Sequence, residues 1–369
     1  MSDRLKQLFS EYGQSPWLDN LKRSYITSGE LDRVCANGIR GLTSNPTIFQ
    51  KAIQGSDEYT EQFKSLISAN TNLLDSYWEL VLHDIHGALD VFAPLYESSG
   101  GIDGFVSVEV DPSLAHNGEQ TLVAARQLDE RVNRDNVMIK IPATAEGIPA
   151  IRAMISEGRN VNVTLIFSLE RYQEVMDAYV QGLELLLMSA PQKVARVASV
   201  ASFFISRVDT DIDRLLELNG SDGAVALCGT AAVNQAKLAY QMFEKTFSGK
   251  RWGELVKHGA HVQRPLWAST STKNAKYPDT LYVDSLIGTN TVNTLPDATV
   301  DAFSNRGNLA LTITKDVDQA DAQWRQLKDF GVNVADVAAR LEREGVKSFQ
   351  NSFDELISVL TAKATELKQ

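Results

Sequence analysis

The chain has 369 residues, 43% hydrophobic and 22% charged, the balance of an ordinary folded globular protein. Its 36 Lys and Arg against 47 Asp and Glu leave a formal net charge of −11, which argues against a nucleic-acid or anionic-membrane surface but leaves room for a small anionic substrate held by a few local cations. No apolar run reaches membrane-spanning length, the first residues carry no signal-peptide core, and Cys35 and Cys228 stand far apart without a CxxC pattern, so a reduced, cytoplasmic chain is expected.

In chain order, residues 1–14 carry an amphipathic helical pattern (Leu5, Leu8, Phe9, Tyr12), broken by Gly13 and Pro16. Pro16-Trp17-Leu18-Asp19 reads as a short strand with an acid at its end. Residues 28–37 suit a helix with Ser28 as N-cap, and residues 38–46 a strand running into a loop. Residues 56–97 read as mainly helical, starting at Ser56 or Ser76, and residues 99–104 as a turn. Strands are expected at 105–110, 137–141 and 162–167, with helices at 117–133 and 145–157 between them. A helix capped by Ser168 should run to about Leu187, before a strand at 194–205 and helices at 211–218 and 224–247. A strand at 264–269, a helix at 279–286 and a last strand at 291–296 precede helices at about 297–304, 316–328, 333–344 and 348–366.

Repeated strand-then-helix order argues for parallel pairing, because parallel strands need a crossover. About eight such units over this length fit a single (β/α)8 TIM barrel over residues 1–369, with extra helices inserted and appended. An open doubly wound sheet would usually announce a glycine-rich first turn, and neither GxGxxG nor GxxxxGK[ST] occurs.

In a barrel, alternate strand residues point inward and chemistry collects at the C-terminal strand ends. The all-valine face of 105–110 belongs against helices, which turns Ser107 and Glu109 inward. The same alternation turns Met138 and Lys140 inward, and then Asn162, Thr164 and Ile166. Earlier strands offer Asp19, Thr43 and Asn45, and later ones Ser202, Ser269 and Asn293. Lys140 sits in an otherwise apolar run closed by Pro142. A lysine there must bury an ammonium, shed its proton or reach an opening. Two uses fit: a strand-end cation whose head reaches solvent, or a neutral amine for imine chemistry on a carbonyl substrate. Glu109, one strand away, is its natural partner, whether for a structural ion pair or for proton transfer. Arg207 and Ser269 to Lys273 follow late strands, where barrels often hold phosphate; each basic residue could equally be a solvated surface cation. His83 with His86, and His258 with His261, have helical spacing but lie away from strand ends. They read as surface histidines rather than metal ligands.

These segments resemble the transaldolase family. Residues 41–49 (GLTSNPTIF) match its second-strand signature, 106–111 (VSVEVD) its third-strand motif, 139–144 (IKIPAT) its Schiff-base lysine motif and 162–168 (NVTLIFS) its fifth strand. The stretches at 267–274 (WASTSTKN) and Tyr282-Val283 look most like its longer bacterial subfamily, and the similarity runs from Trp17 to the C-terminal helix. The resemblance implies a cofactor-independent reaction of the pentose phosphate pathway. A dihydroxyacetone unit would pass from sedoheptulose 7-phosphate to glyceraldehyde 3-phosphate, giving erythrose 4-phosphate and fructose 6-phosphate. It implies that Lys140 forms the imine, that Asp19 takes and returns the C4 hydroxyl proton, and that Glu109 and Thr164 hold a proton-relaying water. Asn45, Asn162 and Ser202 would orient the dihydroxyacetone part, and Arg207, Ser269 and Lys273 would hold the phosphate. The expected partners are sugar phosphates, with neither nucleic acid nor membrane, in a monomer or homodimer. Two departures stand out: many relatives carry arginine at the Lys273 position, and related fructose 6-phosphate aldolases carry tyrosine where Phe204 stands. A fructose 6-phosphate aldolase-like lyase and a non-catalytic phosphosugar-binding barrel remain the alternatives.

Overall fold

The structure, a computed structural model, describes residues 3–367. Eight parallel strands close into a barrel: β1 (Gln14–Leu18), β2 (Gly41–Thr43), β3 (Phe105–Glu109), β4 (Val137–Pro142), β5 (Val161–Ile166), β6 (Ser199–Phe204), β7 (Arg264–Ala268) and β8 (Thr291–Leu295). Each pairs with the next, and β8 returns to β1. This is the (β/α)8 TIM barrel that the alternating pattern predicted.

Residues paired across parallel strands point the same way, so the register sorts the interior. Ser107 pairs with Met138 and Glu109 with Lys140; Lys140 pairs with Asn162 and Pro142 with Thr164. The expected inward set therefore holds for Ser107, Glu109, Met138, Lys140, Asn162 and Thr164. It fails for Ile166. Leu165 adopts φ 60° and the β5–β6 register slips between Val163 and Ile166, so one extra residue lies in β5. Ile166 then pairs with Phe203, whose ring meets Tyr172 of an outer helix edge-on at 5.8 Å. Asn293 pairs with Trp267, which packs against that same outward Phe203; Asn293 faces outward too, and Thr294 takes the inner place beside Trp17.

Polar layers close the barrel at both ends. At the N-terminal end Asp103 accepts hydrogen bonds from Ser15 Oγ at 3.0 Å, Arg40 Nε at 2.6 Å and both terminal nitrogens of Arg264 at 3.1 and 3.2 Å. Burial would raise the Asp103 pKa, but the Arg264 and Arg40 charges override it and hold the carboxyl below its ordinary range. Above this plug Trp17 lies across Gly41: a Cβ there would fall 2.5 Å from the indole, which only glycine permits. Phe105 meets Trp17 at 6.4 Å.

Several helices differ from expectation. Ser28 is not an N-cap: a helix at Arg23–Thr27 precedes it, and Gly29 at φ 73° opens the helix Glu30–Ala36. Residues after Asn45, expected as loop, form the helix Pro46–Gln54, because Asn45 accepts the Ile48 amide and Pro46 fits the first turn. Ser56 caps only a short 3-10 turn, and Ser76 lies inside the helix Leu73–Ser98, whose cap is Asn72. The strand expected from 194 begins at Ser199, after a 3-10 segment at Pro191–Arg196, and the helix Lys250–Val256 falls where no element is expected. Helices expected at 333–344 and 348–366 are one 34-residue helix, Val334–Leu367. It packs on Pro46–Gln54, β5 and the helix Ser206–Asn219. Gly345 does not break it; the missing Cβ lets the helix press on Leu165, 2.9 Å from where that atom would be.

Candidate active site

The barrel's C-terminal end gathers the inward polar residues around Lys140. Lys140 Nζ donates to the Ser44 carbonyl at 3.0 Å and lies 3.2 Å from Glu109 Oε2, both side chains being about 5% exposed or less. Burial pushes the Glu109 carboxyl up against the pull of Lys140. A carboxyl so placed can hold a proton that the amine releases. Thr164 stands one rung further toward the mouth, fully buried, and its Oγ1 has no hydrogen-bond partner among the described residues. Glu109 Oε2 likewise has none beyond its ion pair. Buried polar atoms normally find a partner. Two such atoms beside an amine make a place for a water or a substrate hydroxyl.

Asn162 is fixed in orientation: Nδ2 donates to Ser107 Oγ at 3.0 Å, and Oδ1 accepts from Ser202 Oγ at 2.7 Å. One Nδ2 proton remains for a ligand. Asn45 Oδ1 is committed to the Ile48 amide at 3.0 Å, which leaves its Nδ2 as a donor.

Asp19 follows β1 and points inward by the parity of Ser15 and Trp17. Burial raises its pKa; Lys140, Lys273 and Arg207 pull it down and Asp297 pushes it up. Those influences show that the amine side and the cation side of the mouth converge on this carboxyl. A cavity of about 640 Å³, lined by Asp19, Lys51, Tyr59 and Asp297, opens beside it. Arg207 is half-buried, its guanidinium 5.3 Å above the centroid of Phe204. Its pKa is lowered by burial, against the pull of Glu344 and Asp19. Lys273 sits at the rim, donates to Ser271 Oγ at 2.7 Å, and has its pKa lowered by burial and by the Arg207 charge. Ser269 adopts φ 58° and is clamped by Ser206, whose amide donates to its carbonyl at 3.1 Å and whose hydroxyl meets its own at 2.9 Å.

The ten residues to which the resemblance gives a role thus lie at the mouth or on its rim, whereas Asn293, also offered by strand parity, faces outward. The sequence reading missed Ser44, whose carbonyl orients Lys140, although it sits beside Asn45 in the same motif. It placed Ser206 beside Arg207 after the sixth strand without a role, and it missed Glu344. Glu344 lies far along the chain, and only the path of the last helix over the mouth brings it near Arg207. The positive φ values of Leu165 and Ser269 carry no local signal, since neither residue type favours them. His83 and His86 instead line a flank cavity of about 660 Å³ with Asp84 and Arg131, outside the barrel mouth. Among the described residues no His, Cys, Asp or Glu group is arranged to hold a metal ion, and no helix is long and apolar enough to cross a membrane.

Comparison with known proteins supplies the context for this geometry. The family model for Transaldolase/Fructose-6-phosphate aldolase matches residues 16–360. A transaldolase of Parafrankia sp. (strain EAN1pec) is 47% identical over 362 residues, covering 98% of each chain. Transaldolase 1 of Streptomyces avermitilis is 46% identical, over 97% of this chain and 94% of its own, and a transaldolase of Thermobifida fusca is 46% identical over 97% of both. With a family match over nearly its whole length and relatives this similar, the chain belongs to the transaldolase/fructose-6-phosphate aldolase family.

Proposed function

We propose that the chain is a transaldolase whose working amine is Lys140, and that it moves a dihydroxyacetone unit between sugar phosphates. The observation that carries the reading is the buried Lys140–Glu109 pair at 3.2 Å, with the unpartnered Thr164 hydroxyl one rung above it.

Lys140 Nζ, once neutral, attacks the C2 carbonyl of sedoheptulose 7-phosphate or fructose 6-phosphate. Glu109 takes the ammonium proton and, through a water shared with Thr164, delivers protons as the carbinolamine loses its hydroxyl. In the protonated imine, the electron pair of the C3–C4 bond becomes the C2=C3 bond of an enamine and the C=N π pair moves onto Nζ, while Asp19 removes the C4 hydroxyl proton and C4 leaves as the aldehyde. The aldose leaves, and the enamine stays on Lys140. C3 then attacks the carbonyl of the incoming aldehyde, Asp19 returns its proton to the new hydroxyl, and water releases the new ketose. The raised pKa of Asp19 suits a group that must accept a proton and give it back.

Asn45, Asn162 and Ser202 orient the dihydroxyacetone hydroxyls. Arg207, Ser269 and Lys273 receive the phosphate, Arg207 through its planar fork and Lys273 as a point charge. The donors at hand use hydrogen bonds and charge throughout, and the chemistry calls on no cofactor. The single-domain reading rests on one continuous hydrophobic core running from Leu5 to Ala364. A cytoplasmic setting is favoured by two free cysteines, Cys35 and Cys228.

The family name also covers a lyase. Phe204, inward and packed against Phe167 at 5.1 Å, puts a hydroxyl-free ring at the mouth and favours transfer over release. The test is a coupled assay with fructose 6-phosphate, with and without erythrose 4-phosphate. Transfer predicts continuous formation of glyceraldehyde 3-phosphate only when the acceptor is present, and no more than about one equivalent per enzyme without it. Free dihydroxyacetone released without acceptor marks the lyase, and sugar-phosphate binding without turnover marks a non-catalytic barrel.

A further inference from the structure

The loop between β7 and the short helix Leu281–Asp284 carries Ser269 and Lys273, and its fastening is unusual. At its start Thr270 Oγ1 donates to the Thr294 carbonyl at 2.7 Å and lies 2.9 Å from Asn293 Oδ1, tying it to the barrel. From Ser271 to Lys276, every hydrogen bond among the described residues stays within the loop: Lys273 Nζ to Ser271, the Lys276 amide to Asn274 Oδ1 and the Tyr277 amide to the Asn274 carbonyl. The far end is then tied by two tyrosines to one helix. Tyr277 OH donates to Asp213 Oδ2 at 2.6 Å, and Tyr282 OH donates to Asp209 Oδ2 at 2.8 Å.

That helix, Ser206–Asn219, opens with Ser206 and Arg207. Asp209 and Asp213 lie one turn apart on it. The carboxylates are themselves anchored, Asp213 Oδ1 by the Gly229 amide at 2.8 Å and Asp209 Oδ1 by the Ala232 amide at 2.7 Å. The fit of Tyr277 is tight: a Cβ on Gly229, itself at φ 75°, would lie 2.8 Å from its ring. Lys273, Asn274, Tyr277 and Tyr282 line one cavity of about 210 Å³ together with Asp209 and Asp213. The two cations assigned to the phosphate thus reside on separate elements. One is at the start of a rigid helix and the other on a loop segment whose hydrogen bonds, among the described residues, all stay within itself. The Ser206–Ser269 clamp joins the two at the start of the loop, and beyond Lys273 the tyrosine–aspartate pairs join them.

We propose that Tyr277 and Tyr282, through Asp213 and Asp209, are positioning residues that hold the Lys273 loop against the Arg207 helix and set the spacing of the phosphate grip. This rests on the phosphate reading of Arg207 and Lys273 above. Neither tyrosine touches substrate in this account. Each acts through the loop, so its loss should weaken recognition of the phosphate and leave the imine chemistry alone.

The experiment compares acceptors with and without the phosphate, at saturating sedoheptulose 7-phosphate. For Tyr277→Phe the account expects KM for glyceraldehyde 3-phosphate, and the inhibition constant of inorganic phosphate, to rise about tenfold, the worth of roughly one hydrogen bond. KM for unphosphorylated glyceraldehyde and kcat should hold. Asp213→Ala should give the same phenotype, and the double variant no further loss, since both remove one interaction. Tyr282→Phe repeats the test on the second pair. Equal changes for both acceptors, or none, overturn the proposal, as does full additivity of Tyr277→Phe and Asp213→Ala. Lys273→Ala separates this from the reading beneath it. If wild-type enzyme does not prefer the phosphorylated acceptor, or if Lys273→Ala shifts KM for both acceptors by the same factor, the phosphate site itself is wrong. If Lys273→Ala loses phosphate selectivity while the tyrosine variants keep it, only the positioning role falls.

Discussion

Lys140 is held from two directions, by the Ser44 carbonyl at 3.0 Å and by Glu109 at 3.2 Å, and each hold has a consequence for chemistry. A carbonyl can only accept, so it steers the amine without competing for its lone pair once the amine is neutral. Glu109, raised by burial, can take the proton that neutrality requires. In the proposed mechanism Asp19 has a different task, confined to the C4 hydroxyl. Asp19→Asn is therefore expected to leave imine formation intact while C–C cleavage in a single turnover slows by about 10²–10⁴-fold, the usual worth of general acid–base help. Rapid-quench measurement of aldose release beside reductive trapping tells the two steps apart. Equal loss in both would remove Asp19 from its assigned role. Glu109 and Lys140 are legible in the sequence because valines alternate with Ser107 and Glu109 along one strand and leave no other face for them. Ser44 is not, since a backbone carbonyl leaves no mark on residue type.

The elements of the barrel show where such reading stops. Strand parity fails for Ile166 because Leu165 inserts an extra residue at φ 60°, and the inward reading of Asn293 fails in a ladder that is regular. No residue preference announces that bulge; the last helix, from a distant part of the chain, packs directly on Leu165 there. The gap expected between 344 and 348 is absent, and Gly345 within it works as a close contact to Leu165. Gly41 is the comparable case inside the barrel. Gly41→Ala would set a methyl 2.5 Å from the Trp17 indole, and a cost of about 1–3 kcal/mol is expected from such overpacking. Urea denaturation measures it, and an unchanged midpoint would mean that Trp17 does not fill this layer. The helix bearing Asp209 makes a second prediction. Burial, reinforced by Asp213, raises the Asp209 pKa to about 7 from an ordinary 3.8. The unfolded chain then gives up this proton first, so stability from Asp209 is complete below its ordinary pKa and fades as pH climbs to about 7. Asp209→Asn should flatten that decline in denaturant titrations across this window; a slope identical to wild type would contradict the raised pKa.

At the scale of the whole molecule the two barrel ends divide the labour. The N-terminal plug of Ser15, Arg40, Asp103 and Arg264 is built for stability, and the C-terminal mouth for chemistry. Asp103→Ala strands Arg264 in a buried place and is expected to cost about 3–5 kcal/mol, while kcat of the folded fraction stays at the wild-type value. A loss of kcat without a loss of stability would contradict this separation. The sign of its pH dependence opposes that of Asp209. Asp103 is held below its ordinary value, so its contribution is present above that value and lost as acid protonates it. The barrel itself is legible from eight apolar segments alternating with helices. The single long helix over the mouth is not, because its partners on β5, Pro46–Gln54 and Ser206–Asn219 lie far away in sequence. The central claim is that Lys140 forms the covalent imine. Incubation with fructose 6-phosphate and borohydride, followed by peptide mapping, measures it directly. The account predicts a stable adduct on Lys140 that is absent from Lys140→Ala; an active enzyme with Lys140 unmodified, or with the adduct on another lysine, would contradict it.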